Sequence, residues 1–144
     1  MSETRIVKPA DLKKIADELE TAKAKEALER HRKEQEEENA LRQDFMEREL
    51  RPDAFERFNN WVRRAAEQGR HEIEIGRFPS EYCTDRGRAI NNFEEGWPET
   101  LTGIARRAYD SFKQHLKPQG YKMRAQILNY PDGNLGEVGL YIGW

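Results

Sequence analysis

The chain has 144 residues, 36% hydrophobic and 36% charged, which suits one compact core with an appendage and is too short for two full domains. A net charge of −2 gives no global attraction for a polyanion, so the composition argues against nucleic acid as a partner unless a local basic patch forms. No apolar run approaches the roughly 20 residues of a membrane span, and MSETRIVKPADLKK carries no apolar signal core, so a soluble, cytoplasmic protein with no membrane partner is expected.

Residues 1–50 hold 11 Lys/Arg against 14 Asp/Glu and only one aromatic, Phe45, whereas every Trp and Tyr follows Arg51. The chain is therefore read as a charged helical arm over 1–50 and a compact domain over 51–144. From Pro9 to about Leu50 the residues are good helix formers without an interior Gly or Pro. Leu12, Ile15, Leu19 and Ala22 alternate steps of three and four, a coiled-coil seam that stops at ERHRKEQEEEN, where no apolar residue occurs. There the spacing predicts support from Glu26–Arg30, Glu29–Lys33 and Glu38–Arg42 pairs. Leu41, Phe45 and Leu50 offer a second apolar stretch.

Pro52 interrupts this helix, and Asp53 with Glu56 three residues later predicts a capping box for the next, whose stripe is Phe55, Phe58, Val62, Ala65 and Ala66. Gly69 marks its end. RHEIEIGRF alternates strictly, predicting a strand with His71, Ile73, Ile75 and Arg77 on one face and Glu72 and Glu74 on the other. WPETLTGIARRAYDSFKQHLKPQG reads as a helix with Pro98 in its first turn and Leu101, Ile104, Ala105, Ala108, Phe112 and Leu116 inward. YKMRAQILNY, the turn PDGN and LGEVGLYIGW predict a C-terminal β-hairpin. The expected fold is α+β: a long N-terminal helix, then two amphipathic helices packed on one face of a sheet of about three strands.

The segment EYCTDRGRAINN, residues 81–92, holds the only cysteine. Placing Ser80 as N-cap puts Cys83, Gly87 and Ile90 on one helical face and Asp85, Arg88 and Asn92 on the other. The competing pattern makes TDRG a turn with Gly87 at positive φ and leaves RAINN as a loop. Glu81 and Asp85 would raise the Cys83 pKa while Arg86 would lower it, and any histidine partner must come from elsewhere in the fold, so no catalytic residue is assigned. The lone cysteine excludes an internal disulfide, and His31, His71 and His115 lack metal-ligand spacing, so neither a metal site nor a cofactor is expected. Glu72 and Glu74, about 6.6 Å apart on one strand face, read as solubilising charges.

Three functional expectations follow. The leading one is a protein-interaction or self-associating module, touching a protein partner or its own copy through Leu12, Ile15 and Leu19. Tyr141 and Trp144 are added as contacts because Gly139 and Gly143 leave their strand face open to a backbone or ring. The rival is a small enzyme or a domain for a small anionic ligand, its pocket built from residues 77–97 with Arg77, Asp85, Arg88, Asn91, Asn92 and Trp97 as polar anchors. A weaker alternative, a nucleic-acid module, would draw on Arg63, Arg64, Arg106 and Arg107.

Overall fold

A computed structural model describes residues 3–144. The chain divides into two units, one ending at Leu41 and the other running from Arg42 to Trp144. Helix α1 (Pro9–Glu47) spans 39 residues, about 58 Å at 1.5 Å per residue. Proline suits its first position, where an N–H would find no helical partner. No residue of α1 is buried, so propensity and local pairing carry much of the helix. Among the described residues the ion pairs within it are Glu29 with Arg32 at 3.0 Å and Asp44 with the flanking Arg48. The expected four-residue pairs do not form: Glu29 reaches Arg32 rather than Lys33. Exposed pairs of this kind are worth only about 0.3–0.5 kcal/mol each, too little to select one partner firmly over another.

The second unit is α+β. Its sheet contains β1 (Glu72–Pro79), β2 (Lys122–Ile127) and β3 (Glu137–Gly143), in the order β1-β3-β2 and antiparallel throughout. Ile73 faces Ile142 and Phe78 faces Val138 across one pair; Met123 faces Ile142 and Ile127 faces Val138 across the other. These residues make one apolar face, against which α2 (Ala54–Glu67) and α4 (Gly103–Ser111, prolonged by a wider turn to Leu116) contribute Phe58, Ala65, Ala105 and Phe112. Each fully buried Ile, Val or Phe side chain among them stabilises the fold by about 1.5–3 kcal/mol.

Four local departures from the sequence pattern have identifiable causes. Glu74 lies opposite Tyr141 and Gly76 opposite Leu140, so Ile75 is an extra residue, a β-bulge. The bulge reverses the alternation after it, so that Phe78 enters the core and Arg77, opposite Gly139, joins the outer face with Glu74 instead of sharing a face with Ile73. The capping box before α2 is absent, because the Asp53 carboxylate accepts from Arg51 Nε at 3.0 Å and leaves the helix N–H groups alone. The helix expected from Pro98 breaks after a tight turn at Trp97–Thr100. There the Thr84 N–H donates to the Thr100 carbonyl (2.9 Å) and the Thr102 hydroxyl to the Tyr82 carbonyl (2.7 Å), holding the chain extended before α4 starts.

The fourth departure is residues 80–92, which are neither one helix nor a plain loop. Ser80–Tyr82 make a single tight turn, Arg86 and Gly87 both take positive φ (60° and 88°), and only Arg88–Asn91, helix α3, is α-helical. Asp85 explains the break: its carboxylate accepts from the backbone N–H of Gly87 at 3.0 Å and of Ala89 at 2.8 Å, competing with helix continuation. Cys83 and Ile90 are buried as the helical spacing predicted, although a turn rather than a helix brings them inward.

The last turns of α1 belong to this unit. The Phe45 ring sits 5.2 Å from that of Phe78 and 4.9 Å from that of Tyr82, and the Arg42 guanidinium lies 5.5 Å above the Tyr82 ring. Among the described residues no helix is long and apolar enough to cross a membrane.

Candidate functional site

The six polar anchors expected around residues 77–97 are built mostly into the chain's own structure. Arg77 is held by Glu74, whose carboxylate accepts from its guanidinium, and Asp85 closes the turn before α3. The Asn91 carboxamide oxygen accepts from the Tyr130 hydroxyl at 2.9 Å, and the Trp97 ring meets the Tyr109 ring edge-on at 6.1 Å. Arg88 and Asn92 are exposed at the two ends of α3. No side-chain hydrogen bond or ion pair joins any two of these six among the described residues.

Cys83 is buried beside Tyr82, Ile90 and Leu101. Burial pushes its pKa up to about 11; Asp85 adds to the rise, and a hydrogen bond with Thr100 opposes it. A thiol held protonated in this way lacks the thiolate that nucleophilic chemistry uses. Among the described residues, no three His, Cys, Asp or Glu side chains gather as a metal site.

The outer sheet face is organised by Tyr141. Its ring lies under the Arg124 guanidinium at 4.1 Å, and Arg124 donates to both Glu72 oxygens at 2.9 and 2.5 Å. The Glu72 pKa is lowered, first by this hydrogen bond and then by the positive charge, against the cost of desolvation. A methyl group on Gly139 would stand 2.9 Å from the Tyr141 ring, so the missing side chain makes room for the chain's own tyrosine. At Gly143 the approaching group is the His71 carbonyl, 3.2 Å from such a methyl. Trp144 remains 42% exposed, while its backbone N–H donates to the His71 carbonyl at 3.1 Å.

The four helix arginines fare differently. Arg106 bonds the Pro98 carbonyl and pairs with Glu99 and Asp110, and Arg107 bonds the Arg48 carbonyl and faces Glu49. Arg63 and Arg64 are exposed, with no carboxylate within ion-pair distance among the described residues.

In the first unit, Leu12, Ile15 and Leu19 are 55%, 60% and 56% exposed. They lie along one stripe of α1, as their spacing requires.

A concavity of the second unit lies elsewhere, between α2 and α4 over the sheet, with a volume of about 820 Å³. Ile75, Leu140 and Ile142 contribute from the sheet, Phe55 and Trp61 from α2, and Ala108 from α4. Arg48, Arg51, Arg57, Arg64 and Arg77 also line it, and no Asp or Glu does. Of the expected 77–97 pocket, Arg77 and Phe78 border this groove, and Arg77 alone of the six polar anchors does. Its sequence signal was the spacing of Arg57, Trp61 and Arg64 at i, i+4 and i+7, which puts them on one side of α2. No protein-family model matches the chain, and no curated protein or solved structure matches it.

Proposed function

We propose that this chain is a protein-interaction module that associates with its own copy through α1. The observation that carries the reading is the exposed stripe Leu12–Ile15–Leu19 on a continuous helix. A helix of isolated, mostly charged sequence is marginal in water and gains most of its stability when an apolar stripe is covered. Pairing two stripes side by side supplies that cover, and the alternating three- and four-residue steps are the geometry in which such stripes interlock. The seam is short, because the charged segment 29–39 offers nothing apolar to prolong it, so a concentration-dependent equilibrium is expected rather than a permanent dimer.

Catalysis has weaker support. The Cys83 thiol is held protonated in the core, and Glu72 is committed to Arg124.

Sedimentation equilibrium of the full chain across a wide concentration range tests the proposal. Self-association that vanishes in an Ile15→Glu, Leu19→Glu double variant, with thermal unfolding of the compact unit unchanged, is the expected result. A wild-type chain that stays monomeric at several hundred micromolar would defeat it, as would a double variant that associates as strongly as the wild type.

A further inference from the structure

We propose that the groove between α2 and α4 is a docking site for an acidic amphipathic helix of another protein, with Arg57 and Arg64 receiving two of its carboxylates. The proposal is independent of self-association through α1. It rests on the charge of the lining: Arg48, Arg51, Arg57 and Arg64 border an apolar floor that no Asp or Glu lines, while Arg77 borders it from β1 with its side chain on the outer sheet face beside Glu74; such a rim disfavours basic or neutral occupants and rewards acidic ones.

Two features decide between an acidic helix and a single-headed anionic amphipath such as a fatty acid. Arg48, Arg51 and Arg77 already pair with Asp44, Asp53 and Glu74, whereas Arg57 and Arg64 have no carboxylate within ion-pair distance among the described residues. These two arginines, of which Arg57 feels the Asp53 carboxylate only from beyond ion-pair distance, stand seven residues apart on α2, about 10.5 Å along its axis. One carboxylate or phosphate cannot bridge that span. A helix laid against α2 presents acidic side chains two turns apart at the same interval, so both arginines find partners at once. Its apolar side chains meet Phe55 and Trp61, each 43% exposed at the groove, in the manner of helix-in-groove recognition. Arginine and tryptophan are also the side chains that most often dominate such contacts.

The test uses the full chain and three probes. The first is a synthetic amphipathic helical peptide with leucines on one stripe and glutamates seven residues apart; the second has lysine in place of those glutamates; the third is laurate. Amide shifts in a ¹⁵N spectrum locate binding, and a titration measures its strength. The acidic peptide is expected to shift α2 and α4 and to bind at least tenfold more tightly than the lysine peptide. Arg57→Glu with Arg64→Glu should weaken it at least tenfold and raise affinity for the lysine peptide, while Arg63→Glu, outside the groove, should change neither. If the double reversal does not fold, Arg57→Gln and Arg64→Gln singly should each weaken the acidic peptide severalfold. Equal affinity for the two peptides, indifference to the arginine changes, or occupation by laurate with no binding of the acidic peptide overturns the proposal.

Discussion

Gly103 lies against the end of α1 so closely that a methyl group on it would stand 2.5 Å from the Phe45 carbonyl oxygen and 2.9 Å from Met46 Cα. Its φ of 54° is also one that side-chain-bearing residues avoid. The neighbour is backbone, so no rotamer change relieves the clash. Gly103→Ala is expected to destabilise the compact unit by about 3 kcal/mol, combining left-handed strain with the forced separation of α4 from α1. Thermal unfolding should show a fall of roughly 10 °C; a change of a degree or two would mean that α4 moves freely away from α1.

Cys83 gives the fold an alkaline limit. Its pKa is raised to about 11, above the roughly 8.5 of an unfolded thiol. Between these values the folded state keeps a proton that the unfolded state loses, so the stability contributed is full below about pH 8.5 and is lost as pH rises through the folded pKa. Cys83→Ala should flatten the decline in stability measured by denaturant titration between pH 8.5 and 11, at some cost in packing at all pH values. Iodoacetamide should label the native chain far more slowly than the denatured chain at pH 8; equal rates would mean an accessible thiolate.

The elements most legible in the sequence are those whose side chains repeat against a single core. Phe58, Val62 and Ala65 repeat along α2, and Val138, Leu140 and Ile142 along β3, and in both the apolar members turn inward. The bulge at Ile75 escaped because EIEIGRF keeps period two up to the residue before Phe78; only pairing with β3 shows which residue is extra. Residues 80–92 misled for a different reason. Cys83, Gly87 and Ile90 have helical spacing, but the Asp85 carboxylate takes the backbone N–H groups that a helix would bond to carbonyls. The groove was hidden because its arginines come from separate places: Arg48 and Arg51 from around the end of α1, Arg57 and Arg64 from α2, and Arg77 from β1.

Glu72 and Arg124 link the two edge strands across β3 through the Tyr141 ring. The lowered Glu72 pKa means that the pair contributes stability above the unfolded carboxylate pKa, and that this is lost as pH falls through the folded one. Both side chains are partly exposed, Arg124 48% and Glu72 42%, so the contribution at neutral pH is about 0.5–1 kcal/mol. Arg124→Met should remove it at pH 7 and leave wild type and variant nearly equally stable once the pH is below the folded Glu72 pKa. Raising the salt concentration should narrow the difference at pH 7; a difference that persists after Glu72 is protonated would assign the loss to packing on Tyr141 instead.

Asp85 separates a structural from a ligand-binding role for the α3 turn. Its two oxygens serve Gly87 and Ala89, satisfying backbone donors that begin a helix of only four residues. Removing both acceptors in Asp85→Ala leaves those donors part-buried and unpaired, at a cost of about 1–3 kcal/mol. Asp85→Asn keeps one acceptor oxygen and should recover part of the loss. Arg88→Ala and Asn92→Ala, at exposed positions with no side-chain hydrogen bond or ion pair among the described residues, should each change stability by less than about 0.5 kcal/mol. Urea unfolding of the four variants orders them. A stable Asp85→Ala chain would free that carboxylate from its place in the turn and return it to the list of groups that face a ligand.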